Sequence, residues 1–277
     1  MNQEEKKPGP RPVLPVEGWH VLHLFSHIDH AQWAVLSEDD RRRAKTEFTE
    51  LVQEIRSAPD TQLLTFAMVG PKADLGLMLM TPDLQNANRF EKQLVLGLGP
   101  DILQPAYSYL SMTEPSEYTT TSEQQAETLA GQGIAPGSEA HAKAMAEFEQ
   151  RMAHYRHHRL YPVLPDWPAL CFYNMSKKRE GTDNWYLLDF ETRRRLMGGH
   201  ARTGMAYKGR VLQLITGSTG LDDAEWGVTL LAHTTSDIKS IVYEMRFDEV
   251  SARYGVFGEF FIGLQLPLDE LFRRLRL

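Results

Sequence analysis

The sequence predicts an α+β protein made of two tandem ferredoxin-like domains. Three observations predict it. Strand-like alternation and helical periodicity follow one another as β-α-β-β-α-β in the first half. The same order of elements returns in the second half, although the residues themselves do not repeat. A polar stretch, then a proline-rich one, separates the halves over residues 119–168. The expected organisation is an N-terminal arm (1–17), a first domain (18–118), an insertion and connector (119–168) and a second domain (169–277).

Residues 1–17 are charged and then proline-rich, the composition of an arm that orders only against a neighbour. GWHVLHLFS alternates as a strand over 18–26, and a helix is expected from residue 29 or 30 to about 56, stopped by SAPD. Strands over 63–69 and 74–80 flank the turn at Gly70-Pro71. Pro82 suits a first helical turn, so a helix is placed from there to about 96, followed by an extended segment over 106–118. Residues 119–137 read as a loop without chemistry of its own, 138–157 as a helix and 159–168, with three prolines, as a rigid connector. The second half then offers strands at 169–175, 211–216, 226–232 and 254–263, with helices at 189–207 and from Thr234 or Thr235 through about 242. PLDELFRRLRL closes the chain as a basic amphipathic tail.

Composition narrows the function classes. The 277 residues are 42% apolar, enough for a sizeable core, and carry a formal net charge of −7, which argues against general nucleic-acid binding. Cys171 is the only cysteine, so an intrachain disulfide and a thiolate metal cluster are both excluded, as suits a reducing compartment. The N-terminal stretch lacks an apolar signal core, and no run of about 18 apolar residues marks a membrane span. A cytoplasmic location is the expectation. GSTG at 217–220 reads as a turn, and no phosphate-binding glycine motif follows a strand.

The chemistry-bearing residues cluster after residue 158. His200 follows Gly198 and Gly199 near the end of a helix; it is either a cap histidine favoured by the helix dipole or an axial ligand to iron reached across the two glycines. FYNMSKKR places Tyr173, Met175 and Lys177 on one strand face, a phenol, a thioether and an ammonium together. The alternative is an ordinary cross-strand aromatic running into a solvated basic turn. Gln213, in VLQLIT, is an amide among apolar neighbours and requires a partner, from a ligand or from a nearby loop. Arg159 and Arg246 stand in semi-apolar settings, with Glu244, Asp248 and Glu249 as ordinary ion-pair candidates. Ser251 is a further donor or a cap.

Over residues 169–266 the runs MSKKR, NWYLLDFE, EWGVTL, YEMRFDEVSARYG and FGEFFIG resemble the coproheme decarboxylases of the chlorite dismutase superfamily. GWHVLHLFS and YSYLSMTEPSEY extend the likeness weakly through the first half. The resemblance implies tandem ferredoxin-like domains of the dimeric α+β barrel type, usually five subunits in a ring, and an iron porphyrin held by the second domain. It implies peroxide-dependent oxidative decarboxylation of two propionates of coproheme III to vinyl groups, giving haem b. Carried over residue by residue, His200 would be the proximal iron ligand and Tyr173 the radical-forming residue. Met175 and Lys177 would complete its motif, Gln213 would be the distal amide, and Arg159 and Ser251 would contact propionates. A second tyrosine near the propionates is matched loosely by Tyr118. Coproheme and hydrogen peroxide are the implied partners, with a transient contact to ferrochelatase. A haem carrier or sensor and a haem peroxidase or chlorite dismutase are the alternatives. Two positions bear on the likeness. The family has proline where this chain has Asn174, and chlorite dismutases carry arginine where it has Gln213.

Overall fold

The computed structural model describes residues 11–277. The chain separates into two compact units, one comprising Met1–Met112 with Phe261–Leu277, the other Thr113–Phe260.

The first unit contains β1 (His20–Ile28), α1 (His30–Val35), α2 (Glu38–Ser57), β2 (Gln62–Val69), β3 (Leu75–Thr81), α3 (Leu84–Leu96) and β4 (Leu103–Thr113). Its strands run antiparallel in the order β4-β1-β3-β2. The single helix expected over 30–56 is two helices. Leu36 is extended, and the Ser37 hydroxyl caps a new helix by accepting from Asp40 N–H. Glu38, Asp39 and Asp40 fill the first turn of α2 and Arg56 the last, the charge order a helix dipole favours. Phe48, Val52 and Ile55 make its buried stripe. Of the expected arm, residues 1–10 lie outside the described residues. Val13 is tied to the start of α3: its N–H donates to Asp83 Oδ1 at 2.9 Å and its carbonyl accepts from Leu84 N–H at 3.0 Å.

The second unit contains α4 (Ser122–Gly131), α5 (Glu139–Leu160), β5 (Ala169–Lys177), the short pair β6 (Arg179–Glu180) and β7 (Asp183–Asn184), a 3₁₀ turn at Trp185–Leu187, α6 (Phe190–Met205), β8 (Val211–Gly217), β9 (Trp226–Ala232), α7 (Thr235–Met245) and a π-helical turn at Val250–Tyr254. Its strands follow the order β10-β5-β9-β8, with β10 spanning Gly255–Gln265. The segment expected to be a loop at 119–137 holds α4. Thr121 and Gln124 form a reciprocal capping box there, a local signal in TTTSEQQ that outweighs its polarity.

The expectation of tandem ferredoxin-like domains of the dimeric α+β barrel type is corrected. The chain does not divide into two successive domains. β10 is one continuous strand shared by both units, and its residues Ile262–Gln265 pair with β2. The tail then forms α8 (Leu268–Arg274), whose Leu271 and Phe272 are buried in the cluster of Phe48, Val52 and Ile55. An α+β architecture with one main sheet and the small pair β6–β7 takes the place of two self-contained domains. The physical reason is that the open edge of β2 and the apolar stripe of the tail satisfy each other. Neither is visible as a pair across some 200 residues of sequence.

Candidate functional site

Every candidate residue lies in the second unit. Tyr173, Met175 and Lys177 alternate along β5 and so share a face. Register extends that face across the neighbouring strands. Cys171 pairs with Leu230 and Leu230 with Gln213; Tyr173 pairs with Val228 and Val228 with Ile215; Met175 pairs with Trp226 and Trp226 with Gly217. Directly paired residues point to the same side, so Tyr173 and Gln213 stand on one face, about 12 Å apart at Cα by strand geometry. Met175, Gln213, Ile215 and Trp226 on this face are only half-buried, whereas Leu214 and Thr216 on the reverse face are buried. Asn174, which replaces the family's proline, also points to the reverse face, where its side chain fills the space beside Gly258.

α6 lies over this face. Gln213 donates from Nε2 to Gly204 O at 2.9 Å. A Cβ at position 204 would meet the Gln213 amide at 3.1 Å and Met245 Cε at 3.3 Å, so the helix approaches this closely because residue 204 is glycine. His200 is one helical turn earlier and on the same side of α6. It lies inside the helix and is not a C-terminal cap. A Cβ at Gly198 would meet nothing, so the close-approach glycine is Gly204 rather than the Gly198-Gly199 pair that the sequence points to.

His200 Nδ1 is 2.9 Å from Asp248 Oδ2. Burial alone would raise the Asp248 pKa. The hydrogen bonds from His200 and from Ser251 outweigh it and hold the carboxyl below its ordinary value. Asp248 is therefore an anion and an acceptor. That puts a proton on Nδ1 and makes Nε2 the nitrogen left for another partner. Ser251 donates to the same carboxylate from N at 2.9 Å and from Oγ at 3.2 Å.

Lys177 is only 8% exposed. Its ammonium lies over the Trp185 ring, 4.8 Å from the centroid. Burial lowers its pKa to about 8, against the pull of Asp248 and Glu225. Glu225, 4% exposed, anchors the strand end by accepting from Lys177 N–H at 2.7 Å and by pairing with Arg179. Tyr173 is stacked on Phe260 at 4.4 Å. Burial, and then the Cys171 thiol, push its pKa far up, and Arg246 offsets this only in part, so the phenol keeps its proton at neutral pH.

Arg159 and Tyr118 are held by other partners. Arg159, in the last turn of α5, donates from Nε to Glu114 O at 3.4 Å. Tyr118 is stacked on Phe190 at 5.9 Å and packs against the Trp185 cluster. Its phenol is pushed up to about 12 by burial and by a hydrogen bond to Glu117, against the effect of Arg193.

The sequence names Asp248 and Arg246 but not their partners. Asp248 reads there as an ordinary ion-pair partner, and nothing local to it points to His200, 48 residues earlier. Arg246 is not paired with the three carboxylates near it in sequence. Glu244 binds Tyr207, Asp248 binds His200 and Glu249 binds Arg253. The Arg246 guanidinium instead lies 3.7 Å from the Phe257 ring centroid.

An iron porphyrin fits these residues. The imidazole has one nitrogen held by an anionic carboxylate and the other uncommitted, and the facing sheet presents a half-open apolar surface with an amide and a phenol. Among the described residues, no cluster of three or more His, Cys, Asp or Glu side chains could hold a bare metal ion. No helix of the described chain is long and apolar enough to cross a membrane.

The family model described as chlorite dismutase matches residues 41–266. A solved structure described as a haem-binding protein from Thermus thermophilus is 37% identical with a TM-score of 0.79, covering 96% of this chain and all of its own. Chlorite dismutase of Candidatus Nitrospira defluvii, as an arginine-to-lysine variant, is 18% identical with a TM-score of 0.71, covering 95% and 97% of the two chains. The same enzyme in complex with imidazole is 19% identical with a TM-score of 0.69, again over 95% and 97%. The likeness to the Nitrospira structures is one of fold.

Proposed function

Because the chain belongs to the chlorite dismutase superfamily, we propose that it is a peroxide-dependent haem synthase that decarboxylates two propionates of coproheme III to vinyl groups, giving haem b. The observation that carries this reading is the sheet face on which a protonated, buried Tyr173 stands with Gln213 under the helix that holds His200. A carrier has no use for a desolvated phenol on the ligand face.

His200 would hold the iron through Nε2, with Asp248 fixing the ring and raising its basicity. The bound iron porphyrin supplies peroxide activation and oxidising power. Tyr173 holds its proton and its electron together as a neutral phenol, the form that gives up a hydrogen atom. Met175, Ile215 and Trp226 bound the face and keep water from the reacting edge. Gln213, with its N–H given to Gly204, offers its carbonyl oxygen to a bound water or peroxide. Lys177 places a positive charge for a ligand carboxylate, and Arg159 supplies a second. Ser251 would turn its hydroxyl from Asp248 towards a propionate. The reading includes a homopentamer, a cytoplasmic location and a transient contact with ferrochelatase, all supported by the family resemblance.

Peroxide titration of the protein loaded with coproheme, with porphyrin products read by mass, tests the reading. Haem b formed with loss of two CO₂ is the expected result. Intact coproheme would indicate a carrier or sensor, and rapid oxygen release from chlorite a chlorite dismutase.

Lys177 predicts a pH limb. Its pKa is lowered to about 8, so the ammonium is present below that pH and is lost as pH rises through it. kcat/KM for coproheme should fall by about tenfold per pH unit above that point. Lys177→Arg, whose guanidinium stays protonated, should abolish this limb. A limb unchanged in the arginine variant would assign it to another group.

A further inference from the structure

Three histidines crowd the last two turns of α5, outside the site already described. His154, His157 and His158 are all exposed. His154 and His158 are four residues apart, so their side chains lie one above the other on one face of the helix. Their ring centroids are 4.3 Å apart, and the rings meet edge to face at 82°. His157 stands further round, 6.3 Å from His158, and its ring leans on Tyr161 at 5.3 Å. Among the described residues, neither His154 nor His158 commits a ring nitrogen to a hydrogen bond or a carboxylate.

The surrounding sequence selects what such a pair can take. From Gln150 to Tyr161 the chain reads QRMAHYRHHRLY, with no carboxylate and with Arg151, Arg156 and Arg159. Magnesium and calcium need several oxygen ligands, and this stretch has no acidic side chain to supply them. Copper, nickel and zinc bind imidazole nitrogen directly and do not require a negative side chain. Two nitrogens at about 2.0–2.1 Å from one metal, at right angles, stand about 3 Å apart. Rings with centroids 4.3 Å apart reach that spacing by turning about their own side-chain bonds, with the helix backbone unmoved.

We propose that His154 and His158 chelate one divalent transition metal, copper, nickel or zinc, with water in the remaining positions. The site is separate from the porphyrin face and does not depend on the proposed function. It spans one turn of helix, so a bound metal fixes the turn that leads into Arg159, whose Nε donates to Glu114 O at 3.4 Å.

The test titrates the full, porphyrin-free chain with copper(II) and reads the electron paramagnetic resonance spectrum. Below one equivalent the tightest site fills first. Wild type should show a copper centre with two imidazole nitrogens. His154→Ala and His158→Ala place alanine at exposed helix positions, where it favours the helix. Each should lose the two-nitrogen signal and bind copper at least about tenfold more weakly, because the second, intramolecular ligand is gone. His157→Ala should match wild type. His200→Ala should keep the signal, which separates this site from the iron ligand. Zinc followed by calorimetry should give the same ranking, and excess magnesium or calcium should not displace it. Zinc should also slow amide hydrogen exchange over residues 154–160 in wild type and not in His158→Ala. A two-nitrogen signal that survives in both His154→Ala and His158→Ala would overturn the proposal. So would one lost in His157→Ala or in His200→Ala.

Discussion

Tyr173→Phe should bind coproheme as tightly as wild type and give less than about a hundredth of the wild-type yield of haem b in a single turnover with stoichiometric peroxide. The ring's environment predicts the first half of that result. Tyr173 is stacked on Phe260 at 4.4 Å and tilted against Phe257 at 6.0 Å, contacts that phenylalanine keeps. The chemistry predicts the second half. Only the hydroxyl can release a hydrogen atom at an accessible potential, and burial ensures that it still carries its hydrogen at neutral pH. Wild-type yield from this variant would move the relay elsewhere. Tyr118 would be the next tyrosine to test; it stands with Phe190 and the Trp185 cluster, and the Lys177 ammonium lies over the Trp185 ring.

The second large effect is expected at the iron ligand and its carboxylate. His200→Ala should remove the iron–histidine stretch from the resonance Raman spectrum of the loaded ferrous protein. Asp248→Ala should keep a histidine ligand but weaken iron-porphyrin binding by roughly 10–100-fold, the usual cost of losing the group that orients a ligating imidazole. That variant also strands two Ser251 donors, so part of its effect would be local repacking. Asp248→Asn separates the two. It keeps an acceptor of the same shape and removes the negative charge, so the fold should hold while the iron–histidine stretch moves to lower frequency. An unchanged stretch in both Asp248 variants would show that the carboxylate does not tune the ligand, and an unchanged one in His200→Ala would place the ligand on another residue.

Much of the local structure was legible because its causes are local. Alternation marked β1, the strands expected at 63–69, 169–175 and 226–232 match β2, β5 and β9 to within two residues, and the helical stripe of Phe48, Val52 and Ile55 marked α2. Two local signals were underread. Ser37 restarts a helix after Leu36, and the Thr121–Gln124 capping box makes α4 from a stretch whose composition reads as loop. The placement of Tyr173, Met175 and Lys177 on one face also followed from the sequence, since a period of two needs no partner strand. The site as a whole was less legible. The glycines at 198 and 199 looked like the approach point for a ligand, yet the close contact is made by Gly204, and nothing in GGHARTG distinguishes it.

Residue order is enough to say which groups this protein can use: one phenol and one lysine in a strand motif, a histidine on a helix, a glutamine in an apolar strand. It determined the family likeness too, because that rests on runs of residue identity. Tertiary structure alone decided what each group is. Asp248 and His200 are 48 residues apart, and only the chain's return after α7 makes them a hydrogen-bonded pair, a carboxylate held below its ordinary pKa against an imidazole whose Nε2 is left for another partner. Registry across β9 put Gln213 on the face of Tyr173, where a one-residue slip would have turned it away. The return of β10 to β2 and of α8 to the first core replaced two tandem domains with two units that share a strand. Pairings of this kind depend on edges and faces that exist only once strands have formed. Burial and charge, which set the protonation of Tyr173, Lys177 and Asp248, follow from those pairings.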